Sequence, residues 1–177
     1  MNFTNNYFSI GYRASYISGG NTIEGFVTCG HGFLNTSGTP VYYASNIYGL
    51  SFSQPIIGSL IGNLDYNRYV CTIGATIDAA FVELSSYSSV TNQVATRYGG
   101  TYTISSNSPS LPAIGSTVYA YGTATDDQYG YLRSGIIVSS STTFIDINNP
   151  VFSVYDTIQT TCNIIPGDSG GPLFYSS

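Results

Sequence analysis

The stretch Pro166-Gly167-Asp168-Ser169-Gly170-Gly171-Pro172 stands close to the end of the chain. A serine set between glycines can occupy a tight turn with its hydroxyl bare, and glycines let another backbone approach closely. In such a turn the backbone N–H groups of Gly167 and Ser169 can point together at one spot, the arrangement that stabilises a developing oxyanion. The rest of the chain must then supply a base for the hydroxyl and a scaffold that holds the turn.

The chain has 177 residues, enough for one large domain or two small ones. Aliphatic and aromatic residues make up 42%, so a core can be buried, and only 7% of residues are charged. Disorder requires the opposite balance. A net charge of −5 without any basic cluster excludes nucleic acid as the expected partner. The basic residues are all arginine (Arg13, Arg68, Arg97 and Arg133), which excludes lysine Schiff-base chemistry and a P-loop. His31 is the single histidine, so a mechanism that needs a base near neutral pH points to it. Cys29, Cys71 and Cys162 allow at most one internal disulfide, and no Cys-x-x-Cys pair occurs. A zinc site on Cys29, His31, Cys71 and Cys162 would match no common zinc module, and no metal or cofactor is expected. No apolar run reaches the length of a membrane span. Met1 to Ile10 shows neither the basic nor the apolar region of a secretory signal, so the true beginning is expected to lie outside this sequence.

Short runs rich in Val, Ile, Tyr, Phe and Thr, cut by Gly, Asn and Pro, predict an antiparallel all-β sandwich or barrel. Strands are expected over Phe8 to Ser15, Thr22 to Thr28, Pro40 to Tyr43, Ser51 to Ile61 and Arg68 to Ile73. A tight turn at Ser18 to Asn21 joins the first two, and Pro55 marks an edge strand or a bulge. Thr28-Cys29-Gly30-His31-Gly32 reads as a strand followed by a glycine-bracketed turn that presents His31 at a barrel rim. Asp78, between Ile77 and Ala79-Ala80, reads as a half-buried carboxylate ahead of an apolar strand. The second half predicts strands near Thr117 to Tyr121, Gly135 to Ser139, Thr143 to Ile147, Asp156 to Thr161 and from Pro172 onward. The expected division is residues 1–98 carrying His31 and Asp78, a linker over 99–112, and residues 113–177 carrying Ser169.

In chain order His31, Asp78 and Ser169 are a base, an acceptor for its other nitrogen, and a nucleophile. The run Gly167-Asp168-Ser169-Gly170-Gly171 resembles the nucleophile loop of the chymotrypsin-like serine proteases. The run Thr28 to Gly32 resembles their histidine motif, and Asp78-Ala79-Ala80-Phe81-Val82 their aspartate run. The likeness covers the chain from about Ile10 onward and is greatest to the short α-lytic protease and streptogrisin type. It implies two antiparallel six-stranded β-barrels with the site in the cleft between them, the second barrel incomplete here. It also implies secretion and peptide-bond hydrolysis through an acyl-enzyme. The roles it gives are His31 as general base, Asp78 as its orienter, Ser169 as nucleophile, and Gly167 with Ser169 as oxyanion donors. Polypeptide substrates are the expected partners, with room for a propeptide or a protein inhibitor, and the protein is expected to be a monomer.

The sequence departs from that family in several places. Gly32 stands where a cysteine follows the histidine, and Cys29 falls two places before it. The internal basic residue that pairs in the α-lytic type with the aspartate before the nucleophile aligns with Ala120, so Arg133 is the candidate partner of Asp168. Only Gly170 to Ser177 follow the nucleophile, where the family continues with strands that close the second barrel. The sequence is therefore expected to be a piece of a longer protein. By resemblance Asn163, Ile164, Ile165 and Pro166 form one side of the primary pocket. They offer no carboxylate, so an uncharged apolar or small side chain is the expected preference. The alternatives from other classes are a protease-like domain that binds a peptide or inhibitor without cleaving it, and a glycan-binding domain that uses some of the 17 tyrosines.

Overall fold

The computed structural model describes residues 8–33, 37–45, 56–68, 77–85, 90–95, 100–105, 110–122, 132–145 and 153–175. Those residues form eleven strands, with Arg68 alone among them in a helical conformation, so the fold is all-β. Every strand pair is antiparallel. The strands are β1 (Arg13–Ser18), β2 (Asn21–Thr28), β3 (Pro40–Ser45), β4 (Ile56–Asn67), β5 (Ala80–Leu84), β6 (Gln93–Ala95), β7 (Thr101–Thr103), β8 (Thr117–Ala120), β9 (Arg133–Ile145), β10 (Ser153–Thr160) and β11 (Leu173–Phe174). Among the described residues they make a five-stranded sheet in the order β1-β2-β5-β4-β3, a four-stranded sheet in the order β10-β9-β8-β11, and the pair β6-β7. Six strands per barrel were expected, and the described residues supply five and four.

The first sheet forms because its apolar residues fall on one face. Phe26 on β2 lies opposite Val82 on β5, and both are fully buried. Leu64 on β4 is paired with the other side of Val82, and Phe33 and Val41 complete this core. Burying each such side chain contributes about 1.5–3 kcal/mol. A β-bulge then changes what β4 turns inward. Leu64 pairs with Val82 but Tyr66 pairs with Phe81, so β4 carries one residue more than β5 between these points. An extra residue inverts the alternation of faces. Tyr66 is consequently exposed, and Asn67, which an unbroken alternation would turn outward, is completely buried.

The second sheet is centred on Val118 of β8, Ile137 of β9 and Val154 of β10. The two strands expected over Gly135 to Ser139 and Thr143 to Ile147 are one, the 13-residue β9. The Ser139-to-Thr142 run reads as a break because serine favours turns. Here β10 pairs along all of it, and the irregularity appears instead as register shifts between the two strands, with β9 carrying the extra residue across the serine run. Thr101–Thr103, inside the segment expected to be loose, pairs with Gln93–Ala95. The strand expected from Phe8 starts at Arg13. The strand expected over Arg68 to Ile73 lies, beyond Arg68, outside the described residues, as does Cys71. Among the described residues Cys29 and Cys162 are free thiols, and no helix is long and apolar enough to cross a membrane.

Candidate active site

His31 follows β2 by three residues, in a turn closed by the Phe33 N–H donating to the Gly30 carbonyl at 3.1 Å. Asn67, turned inward by the bulge in β4, donates its amide to the same Gly30 carbonyl at 3.0 Å. The buried Asn67 amide would cost about 1–3 kcal/mol if left without an acceptor, so this contact ties the turn to β4.

Asp78 precedes β5, the neighbour of β2, and so reaches the same rim. One carboxylate oxygen accepts the N–H groups of Gly30 and His31, each at 2.8 Å. The other lies 2.6 Å from His31 Nδ1. Each anchor holds the other. The aspartate is oriented by the backbone of the histidine turn, and it orients the imidazole by taking its Nδ1 side. The Asp78 contact, seconded by the Cys29 side chain, raises His31 well above the ordinary imidazole value. Burial works to raise the Asp78 carboxyl, but the imidazole and the two backbone N–H groups outweigh it and hold Asp78 below the usual carboxylate range.

Ser169 lies in the turn between β10 and β11. Gly167 and Gly170 adopt positive φ, 103° and 83°. At Gly170 the surroundings exclude any side chain, because a Cβ would stand 2.1 Å from Thr28 Oγ1 and 2.8 Å from the Cys29 nitrogen. The loop that carries Ser169 is therefore pressed directly onto the end of β2, beside the histidine turn. Asp168 is buried, and its carboxylate accepts the Ile165 N–H at 3.1 Å while its own N–H donates to the Ile165 carbonyl at 3.0 Å. Gly122 makes room for that carboxylate, since a Cβ there would lie 2.3 Å from Asp168 Oδ1. The Gly171 N–H is taken by the Asp168 carbonyl at 2.9 Å. Among the described residues, neither the Gly167 N–H nor the Ser169 N–H has a protein acceptor, and the Ser169 hydroxyl makes no hydrogen bond. Asp168, between Gly167 and Ser169, spends its own N–H within the loop; the N–H groups of Gly167, Ser169 and Gly170 and the Ser169 hydroxyl stay open among the described residues.

His31 and Asp78 are joined by hydrogen bonds, and the loop that carries Ser169 packs against the end of β2, the strand that leads into the histidine turn. Ile165 is half-buried beneath the loop, while Asn163, Ile164 and Pro166 are exposed beside it. Arg133 on β9 is the direct cross-strand partner of Ala120 on β8, and Ala120 in turn pairs with Leu173 just after the nucleophile loop. The cation therefore stands one strand away from the position expected to carry it, on the same face of the sheet.

The site also contains residues that the motifs do not mark. Ser9 bonds to the Ser169 loop through its N–H, to the Ser169 carbonyl at 2.7 Å, and through its hydroxyl, to the Gly167 carbonyl at 3.0 Å. Its own carbonyl accepts the Thr28 hydroxyl at 2.8 Å. Nothing in the sequence around Ser9 signals this, and Asn67 is equally unmarked, because its inward aspect depends on the bulge.

This architecture is shared with solved structures. Protease A of Thermobifida fusca superposes with a TM-score of 0.67 at 26% identity, over 98% of this chain and 73% of that one. The Nocardiopsis protease NAPase gives 0.62 at 27% identity, over 94% and 71%. The chain has the fold of the chymotrypsin-like serine proteases. A Cellulomonas bogoriensis chymotrypsin, at 21% identity and a TM-score of 0.60, covers 96% of the chain and 78% of its own length, and adds to the fold likeness alone. No family model matches the chain, and no curated protein does. The likeness to the first two supports a serine protease, a hydrolase that acts on polypeptides.

Proposed function

We propose that the protein is a serine endopeptidase in which Ser169 attacks the scissile carbonyl, His31 is general base and acid, and Asp78 orients His31. The observation that carries this reading is the pairing of the Asp78–His31 contact with a neighbouring loop in which the Gly167 and Ser169 N–H groups and the Ser169 hydroxyl are open. As the Ser169 oxygen bonds to the carbonyl carbon, its proton passes to His31 Nε2. The carbonyl oxygen takes the negative charge and is received by the N–H groups of Gly167 and Ser169. The imidazolium, stabilised by Asp78, gives the proton to the departing amine, which leaves an ester on Ser169. A water then repeats the sequence, with His31 again taking the proton, and frees the acid. Arg133 balances the buried charge of Asp168 from across the sheet. Secretion is part of the same proposal.

Asn163, Ile164, Ile165 and Pro166 border the primary pocket and carry no charge, so the residue before the scissile bond is apolar or small. A panel of peptide p-nitroanilides tests both parts. Substrates ending in Ala, Leu or Phe should turn over at least about tenfold faster in kcat/KM than those ending in Arg or Lys. Preference for a basic residue would overturn the pocket assignment, and failure to cleave any of them would overturn the activity.

A further inference from the structure

The geometry points to Ser9 as a positioning residue that holds both oxyanion donors in place and ties them to the histidine turn. The inference rests on the catalytic reading above and extends it. The N–H groups of Gly167 and Ser169 are open, as is that of Gly170, and Ser9 binds the carbonyls of the first two, at 3.0 Å and 2.7 Å. Where a residue's carbonyl is pinned, its own N–H can turn only by rotating φ and ψ against that anchor. This matters most at Gly167, which adopts a φ of 103° and has no side chain to restrict it. The hydroxyl of Ser9 supplies the restriction from outside.

The other end of the strap is equally fixed. Ser9 is 3% exposed, as is Thr28, whose hydroxyl binds the Ser9 carbonyl. Thr28 ends β2 and leads directly into Cys29-Gly30-His31. Two residues on, Gly11 donates to the Val27 carbonyl at 3.0 Å, and the Tyr12 hydroxyl donates to the Leu173 carbonyl. The segment from Ser9 to Tyr12 therefore runs between the end of β2 and the nucleophile loop, bonded to both. All three polar groups of Ser9 are engaged, two on the loop and one on the strand that carries the base. Alanine at this position keeps the two backbone bonds and removes the hydroxyl's bond to Gly167, so its effect falls first on the Gly167 donor.

The test compares wild type, Ser9→Ala and Ser9→Thr. Active sites are first titrated with a fluorophosphonate, so that kcat is expressed per competent site. Affinity is then measured for a peptide aldehyde, which forms a tetrahedral adduct, and for the matching peptide acid, which does not. Ser9→Ala should lower kcat by about ten- to a hundredfold with KM within twofold, because loss or misplacement of an oxyanion donor is felt in the transition state. Aldehyde affinity should fall by a similar factor while acid affinity holds, and Ser9→Thr, which keeps the hydroxyl, should recover most of the loss. Should Ser9→Ala not fold, Ser9→Cys carries the same comparison with a weakened donor. A variant with lower Tm but wild-type kcat per site and wild-type aldehyde affinity would show that Ser9 is only structural. A wild-type chain that neither titrates nor turns over overturns the catalytic reading and this one with it. A wild type that turns over, beside an unimpaired Ser9→Ala, overturns this one alone.

Discussion

Ser169→Ala should abolish peptide hydrolysis, lowering kcat by about 10⁴- to 10⁶-fold, while leaving the fold as it is. The two halves of this expectation have separate physical grounds. Activity is lost because no other group at the turn can form the acyl bond. What survives is the contribution of the Gly167 and Ser169 N–H groups and of substrate binding. Stability is kept because the Ser169 hydroxyl makes no hydrogen bond among the described residues. The backbone bond from the Ser9 N–H to the Ser169 carbonyl does not depend on the side chain. The change in unfolding free energy should stay within about 0.5 kcal/mol, as for substitutions that break no packing or polar contact. Denaturant unfolding beside a peptide assay checks both halves. A variant that retains a tenth of wild-type turnover would remove Ser169 from the chemistry.

Asp78→Asn is the second large effect, expected at about 10⁴-fold in kcat at unchanged architecture. Asp78 accepts three hydrogen bonds, from His31 Nδ1 and from the N–H groups of Gly30 and His31. An asparagine can keep its oxygen on the two backbone donors and must then point its NH₂ at His31 Nδ1. A donor facing Nδ1 obliges that nitrogen to be the acceptor, so the imidazole proton moves to Nε2, on the side of Ser169. A base that already carries a proton there cannot take another.

The same substitution should change the pH dependence. In the wild type the carboxylate raises His31 above its ordinary 6.5. Only neutral imidazole accepts a proton, so the acid limb of kcat/KM should lie above pH 6.5, and in Asp78→Asn the residual activity should titrate lower. For stability the signs run in opposite directions at the two ends. His31 is raised, so its contribution is fully present below 6.5 and is lost as pH rises through the raised value. Asp78 is lowered from 3.8, so its contribution is present above 3.8 and is lost as pH falls through the lowered value. The Tm difference between wild type and Asp78→Asn should be largest between these limits and shrink outside them. A difference independent of pH would mean that the ion pair contributes nothing to folding.

Much of this was legible in the sequence where chemistry is local. The hairpin of β1 and β2, the strand after Asp78 and the glycine turn around Ser169 each carry their signal within a few residues. Their all-β class followed from alternation and from the scarcity of helical periods. What stayed hidden depends on long-range pairing. Ser9 acts on a residue 158 positions away, and its surroundings in the sequence are those of any polar strand end. Asn67 faces inward only because β4 carries one residue more than β5 between Leu64 and Tyr66. No single-strand pattern can reveal a count that depends on two strands. The serine run in β9 falls between two expected strands for a related reason, since serine favours turns until a neighbouring strand supplies the other half of the ladder. Arg133 shows the intermediate case. Its charge marked it as a candidate, and the register of β8 with β9 gives its place opposite Ala120.

The most direct test of the catalytic reading is covalent. The chain is treated with a biotinylated fluorophosphonate near pH 8, digested, and mapped by mass spectrometry, with His31→Ala as control. A single adduct on Ser169 in the wild type, absent from His31→Ala, is the predicted result. Labelling on another serine, or none on the folded wild-type protein, would contradict the assignment of Ser169 as an activated nucleophile.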